Sequence, residues 1–307
     1  MPELPEVHTT VTGLHSVLPG LSIIDVWTDY DSPFFYGTGQ IKDPAYFSIF
    51  KKSVVGTQIV SVTRRAKNIL IHLSSGSTML VHMKMTGHLM YGTYRKSNTK
   101  EKRDTGETWL PAKKSPLSDP FNRFVHFVCV LSNGKHLVLS DVRKFAKVTL
   151  LLGDHALHPD IQALGKEPLS HIMTGGDLKK ALGKKPNAKM KQAIMDQTLI
   201  AGIGNIYSDE ILWRSSVHPL RTVSSIQKNE WKRLCEHMHT ILQDSISKGG
   251  DSLSDYRNAF GEKGAYQNHH QAYRNTGKPC QYKACTGTIQ RMVIGGRSSH
   301  FCPMHQK

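Results

Sequence analysis

Short apolar runs separated by turn residues dominate the first half of the chain. Residues 58–62, 68–73, 124–130 and 147–151 are β-branched or otherwise apolar, and pairs such as Ser75-Gly76 and Asn133-Gly134 divide them. From about Leu21 to Leu152 this pattern predicts an all-β sandwich, and residues 5–18 predict one helix ahead of it. From about Leu157 to Ser247 the apolar spacing becomes helical. The candidate helices are 177–182, 190–196, 207–215 and 225–247, with Pro186 and Pro219 marking breaks. Residues 249–279 are polar and glycine-rich and predict a flexible loop, and the last 28 residues form a compact cysteine-bearing tail. The whole predicts an α+β multi-domain chain.

One stretch interrupts the strands. Residues 92–122 gather Lys96, Lys100, Lys102, Arg103, Lys113 and Lys114, with few large apolar residues besides Trp109 and Leu110. This predicts a mobile loop, either a plain solvated insertion or a basic arm that touches a polyanion. Charge extends the second possibility to the whole molecule. Lysine and arginine number 40 against 24 acids, a formal +16 over 307 residues, which points to nucleic acid before an acidic membrane surface. No run of about 18 apolar residues is present to span a bilayer, and the N-terminus lacks a signal-peptide profile. Five cysteines in such a chain do not suggest a disulfide framework. These features predict an intracellular protein.

Candidate chemistry lies at both ends. The chain opens Met1-Pro2-Glu3-Leu4-Pro5-Glu6-Val7. Removal of Met1 would leave the ring nitrogen of Pro2 as a secondary amine with a pKa of about 8, unprotonated in good part at neutral pH. Such an amine can attack a sugar C1′ and form an iminium ion, with Glu3 next to it to move protons; an ordinary start with solvated acids is the alternative. At the other end Cys280, Cys285, Cys302 and His305 are spaced C-x4-C-x16-C-x2-H, a donor set for one tetrahedral structural zinc. Gly295-Gly296 supplies a turn between strands predicted at 288–294 and 298–301, which would fix Arg297 where it can meet a phosphate. Between the ends, Gly202-Ile203-Gly204-Asn205 joins two helical stretches. No strand precedes it and Tyr207 follows three positions on, so a dinucleotide loop is improbable. A glycine-rich turn presenting N–H groups to a DNA phosphate, with Asn205 capping the next helix, fits equally with a plain tight turn.

Taken together these residues closely resemble the bacterial formamidopyrimidine-DNA glycosylases of the Fpg/Nei base-excision-repair family. The resemblance runs nearly end to end, broken mainly at 92–122. It is carried by the opening Pro2–Val7 motif, by Arg64-Arg65-Ala66-Lys67, by His82-Met83-Lys84-Met85-Thr86-Gly87, by residues 196–210 and by the terminal zinc hairpin. It implies an N-terminal catalytic β-sandwich domain over 2–152, a helix–two-turns–helix DNA-binding domain over 157–265 and a zinc finger over 270–307. It further implies removal of oxidised purines from damaged double-stranded DNA, followed by strand cleavage, by a cytoplasmic, nucleoid-associated monomer with no redox cofactor. By matching position, Pro2 is the nucleophile, Glu3 the acid/base group and Lys67 a phosphate-contacting catalytic lysine. Glu6 and Glu210 stand where acids line the lesion pocket. Asn205 and Arg297 match two phosphate clamps, and Met85, Arg143 and Phe145 match the wedge that fills the gap left by an extruded base. Extrusion is a chemical need as well, because a stacked base cannot offer its C1′ to an amine.

The chain departs from the family pattern at His8 and Lys144, in the Cys3His donor set with its widened first pair, and in residues 255–277. The last should include a flexible lesion-capping loop but hold His269-His270 and Tyr273 in an unfamiliar order. Two other readings stay open here: an endonuclease VIII-like preference for oxidised pyrimidines, and a non-catalytic zinc-finger nucleic-acid binder. Pro5 after Leu4 speaks against the first, and Pro2, Glu3 and Lys67 together speak against the second.

Overall fold

The computed structural model describes residues 1–97, 108–169 and 173–307, which form two compact units. The first comprises residues 1–161 and 249–264, the second 162–248 and 265–307.

Helix α1 (Leu4–His15) opens the first unit, with Pro5 in its first turn and Val7, Val11 and Leu14 buried along one side. Strand β1 (Ile23–Thr28) follows, then helix α2 (Pro44–Val54). Strand patterning predicts no helix there. Asp43 nevertheless caps it by accepting from Ala45 N–H, with Pro44 at the first helical position. Phe50 and Val54 of α2 are buried and Tyr46 and Phe47 pack partly buried beside them, a helical stripe of only three turns set among strand-like runs. Next come β2 (Ile59–Arg65), β3 (Asn68–Leu73), β4 (Thr78–His82), β5 (His88–Gly92), β6 (Tyr94–Ser97), β7 (Thr108–Pro111), β8 (Val125–Leu131), β9 (His136–Ser140) and β10 (Lys147–Leu151). A one-turn helix, α3 (Pro159–Gln162), ends the run.

Two antiparallel four-stranded sheets result, ordered β1-β8-β9-β5 and β10-β4-β3-β2. Phe127, Cys129, Leu137 and Leu139 of the first sheet share one core with Val62, Ile69, Ile71, Met79 and Val81 of the second, and with α1. This is the predicted sandwich. Val128, Val138 and Met90 on the opposite face of the first sheet are also buried, under Tyr94 and Trp109. Burial on both faces explains why residues 124–130 read as a continuous apolar run.

The cover comes from the segment expected to be a mobile loop. Within it β6 and β7 pair, and 3₁₀ turns at Pro116–Ser118 and Pro120–Arg123 follow. Trp109 is the anchor: its indole buries apolar surface that a solvated loop would leave in water. Lys100, Lys102 and Arg103 lie outside the described residues.

The second unit contains α4 (Gly175–Leu182), α5 (Met190–Met195), α6 (Asn205–Arg214) and the 20-residue α7 (Lys228–Ser247), followed by the hairpin β11 (Gln290–Ile294) and β12 (Arg297–Phe301). Thr174 and Asp177 form a capping box at α4. Helix α7 starts later than predicted, because residues 223–225 form a 3₁₀ turn and Glu230 closes a capping box on Gln227. Gly295 and Gly296, with φ of 55° and 75°, make the two-residue turn that pairs Ile294 with Arg297. Among the described residues no helix is long and apolar enough to cross a membrane.

Candidate active site

The start of the chain is a built site. Pro2, Glu3 and Glu6 are buried, and α1 begins only at Leu4, so Pro2 and Glu3 lie ahead of the helix. One Glu6 carboxylate oxygen accepts the Glu3 N–H at 2.7 Å, and the other accepts the Asp251 N–H at 2.7 Å. The Tyr256 hydroxyl donates to the Glu6 carbonyl at 2.9 Å and lies 3.3 Å from the Thr10 hydroxyl. A Cβ at Gly250, whose φ is +83°, would sit 3.0 Å from the Glu6 side chain. Residues 249–264 are therefore packed against α1 rather than forming the open loop that composition predicts.

Three tight turns in the first unit carry the other candidates, and each holds a non-glycine residue at positive φ. These are Ala66 (55°) before Lys67, Lys84 (52°) before Met85 and Lys144 (55°) before Phe145. Such backbone costs of order 1 kcal/mol per residue and persists only where surrounding contacts over-determine it. At the first turn Arg65 pairs with Asn68, leaving Ala66 and buried Lys67 as the two turn residues. At the second, His82 Nδ1 accepts the Lys84 N–H at 3.0 Å. Burial first, and then the charges of Lys84 and Lys67, push His82 down to about 3, so the ring stays neutral and able to accept.

The second and third turns share one carboxylate. Buried Asp141 accepts from the Thr86 hydroxyl, from Arg143 N–H at 3.3 Å and from Ala146 N–H at 2.6 Å. Arg143 N–H also reaches the Thr86 hydroxyl at 3.2 Å. Half-buried Met85 and exposed Arg143 and Phe145 are thereby carried on tied turns, with the guanidinium 4.5 Å over the Phe145 ring. Sequence reasoning missed Asp141. Its signal was position, two residues ahead of Arg143 in a turn, but a buried acid and a solvated one look alike in a string of letters.

The second unit carries Asn205, Glu210 and Arg297. Asn205 does not cap α6; Gly204 is the N-cap and Asn205 is already helical, its side chain past the capping position. Buried Asp209 accepts from Ser299 Oγ at 2.9 Å and from His300 N–H at 2.9 Å, joining α6 to β12. Its countercharge is buried Lys191 of α5, 2.6 Å away, which also donates to the Asn205 carbonyl at 3.0 Å and Ser208 Oγ at 2.7 Å. At the hairpin tip Gly295, at φ +55°, packs against the Gln192 side chain, whose amide would have to shift for any Cβ there. Exposed Arg297 thus stands on a braced turn. Glu210 accepts the N–H groups of Gln271 (2.9 Å), Ala272 (3.0 Å) and Tyr273 (2.8 Å). Burial raises its pKa despite these donors. Neither Lys191 nor Asp209 was singled out from sequence.

The four metal donors converge as predicted, their ligand atoms all within 4.8 Å of one another. Cys280 Sγ lies 3.3 Å from His305 Nδ1, and Cys285 Sγ 3.6 Å from Cys302 Sγ. A tetrahedral zinc with three thiolates and an imidazole has donor separations of about 3.5–3.8 Å, so the set fits. His305 Nε2 faces the Trp213 carbonyl at 2.9 Å, which leaves Nδ1 for the metal, and Trp213 Nε1 donates to Cys280 Sγ at 3.3 Å. Ala284 at φ 61° bends the widened knuckle. Four protein donors leave no open position, so this zinc site is structural.

Comparison with known proteins agrees with this geometry. The profile of the formamidopyrimidine-DNA glycosylase N-terminal domain matches residues 1–148, and that of the formamidopyrimidine-DNA glycosylase H2TH domain matches 164–257. The formamidopyrimidine-DNA glycosylase of Herpetosiphon aurantiacus is 35% identical over 308 residues, covering 100% of both chains. That of Pelotomaculum thermopropionicum is 36% identical over 309 residues, covering 100% of this chain and 99% of its own. The Lactococcus lactis Fpg solved with abasic-site-containing DNA superposes with a TM-score of 0.79 at 28% identity, covering 99% of each chain.

Proposed function

The chain belongs to the formamidopyrimidine-DNA glycosylase family, and from that premise we propose that Pro2 is the nucleophile of a base-excision-repair glycosylase that also cleaves the strand. The enzyme is a DNA glycosylase acting on damaged DNA. In the proposed route the Pro2 nitrogen, freed by removal of Met1, donates its lone pair to C1′. The glycosidic bond breaks, and the departing base takes the bonding electrons and a proton. The Pro2 nitrogen then loses its proton, and the C1′–O4′ bond breaks as O4′ takes a proton, leaving an iminium that acidifies the C2′ hydrogen. Loss of that hydrogen expels the 3′ phosphate, and a further elimination expels the 5′ phosphate. Glu3 moves the proton that opens the sugar ring, and Lys67 contacts the neighbouring phosphate. Met85, Arg143 and Phe145 fill the space of the extruded base, Asn205 and Arg297 hold phosphates, and the bound zinc stiffens the hairpin under Arg297. Acting on nucleoid DNA, the enzyme would take oxidised purines as its lesions.

The carrying observation is the Glu6 bridge. A carboxylate in the first turn of α1 grips the Glu3 N–H at 2.7 Å, so the residue after the nucleophile is fixed in a buried site rather than frayed. Chain termini are ordinarily poorly ordered, and ordering this one has a cost that catalysis would justify. Met1-processed protein should form a borohydride-stable adduct with a duplex carrying 8-oxoguanine opposite cytosine. A Pro2→Gly or N-terminally blocked protein should bind the duplex but form none. Adduct formation with Met1 retained would overturn the mechanism. Adducts only on oxidised pyrimidines would overturn the lesion class.

A further inference from the structure

The 92–122 segment ends in a clasp. Arg257 is buried to 1% exposure, and one of its terminal nitrogens reaches both oxygens of Asp119 at 3.0 and 3.1 Å. The other donates to the carbonyls of Tyr256 (2.8 Å) and Ser254 (3.2 Å), while the guanidinium lies 4.9 Å over the Phe121 ring. Backbone meets backbone beside it, since a Cβ on Gly261 would fall 2.8 Å from Leu117 N. Buried Asn122 donates to the Pro116 carbonyl at 2.9 Å and accepts from His88 Nε2 at 2.8 Å, fixing the shelf to β5. Residues 116–122 are thus a platform for residues 254–261.

The clasped segment grips α1 at its other end. Asp251 N–H and Tyr256 hydroxyl both bond Glu6, whose second carboxylate oxygen holds the Glu3 N–H. A buried, singly paired arginine is costly to a surface loop unless the order it imposes is used. We propose that the Asp119–Arg257 clasp positions the catalytic terminus: the platform holds 251–257, that segment holds Glu6, and Glu6 holds Glu3 beside Pro2. Arg257 is then a positioning residue of the glycosylase, and residues 116–122 are part of its active-site support. The catalytic consequence rests on the Pro2 reading above.

Asp119→Asn and Arg257→Lys test it on the full-length, zinc-loaded protein. Displacing a reacting group by a fraction of an ångström costs one to two orders of magnitude, so single-turnover adduct formation should slow about tenfold in each while duplex affinity stays within about twofold. Amide hydrogen exchange should quicken in peptides covering 3–10 as well as 251–257. Wild-type adduct rates, or unchanged exchange in 3–10, would overturn the clasp. Should Arg257→Lys fold poorly, Asp119→Asn, altered at the more exposed partner, decides by exchange. If the wild-type protein forms no adduct with any lesion, the Pro2 reading falls, and exchange in Asp119→Asn still decides whether the clasp orders the terminus.

Discussion

Two buried aspartates organise the two units, and they do so differently. Asp141 draws the turns bearing Met85, Arg143 and Phe145 together through a hydroxyl and backbone N–H groups. Asp209 draws α6 and the zinc hairpin together, but against a buried ammonium, Lys191, at 2.6 Å. Neutral donors tie the first pair of turns locally, and each tie is modest. The ion pair braces α6, which begins at Asn205, against the hairpin that carries Arg297. The strength of such a pair shows when one member is removed, since the other charge stays buried.

That contrast is broken most severely at Lys191. Lys191→Met should destabilise the second unit by about 3–5 kcal/mol, the cost of a buried charge without its partner. Urea melts followed by tryptophan fluorescence would measure it, and a loss under 1 kcal/mol would mean that Asp209 is satisfied by Ser299 and His300 alone.

Acid is the next lever, and it acts on the first unit. Burial, foremost, pushes His88 down to about 4 from an ordinary 6.5. The unfolded chain therefore takes up the proton first. The stability linked to His88 is complete above pH 6.5 and disappears as pH falls towards 4. Acting alone the group would contribute roughly 3 kcal/mol across that window. His88→Gln should flatten the pH dependence of the urea midpoint there; an unchanged slope would assign the acid sensitivity to other groups, His82 first.

A smaller stability effect but a sharper functional one is expected at Asp141. Asp141→Asn places an amide where carboxylate oxygen accepts from backbone, a cost of about 1–3 kcal/mol. The turns should loosen, and 2-aminopurine beside the lesion should report less extrusion of the damaged base. Wild-type extrusion in a folded variant would show that Asp141 supports the fold without holding the wedge.

How much of this was legible beforehand follows from where each signal lives. The paired sheets, α1, the helical second half and the Gly295-Gly296 hairpin repeat every two or 3.6 residues, or sit in adjacent letters, so local chemistry exposes them. Helix α2 has its own helical stripe, Tyr46, Phe47, Phe50 and Val54, but it is short and lies among strand-like runs that dominate the local pattern. Trp109 was read as an exception within a polar loop, although one indole was enough to seat the β6–β7 hairpin on the first sheet. Sequence points to Asn205 as the cap of α6, but Gly204 and Asn205 are both acceptable caps, and only the backbone angles select Gly204.

The sequence by itself determined the chemistry of the ends: a proline that can become a free amine, acids beside it, and four soft or borderline donors at metal spacing. Those depend on residue identity and on short separations along the chain. Tertiary structure alone decided what the buried carboxylates do. Glu6 meets Asp251, Asp119 meets Arg257, and Asp209 meets Lys191 and His300, across separations from 18 to 245 residues. A carboxylate carries the same letter whether water or three backbone N–H groups solvate it. Only the folded chain, by excluding the water, sets which of the two it is.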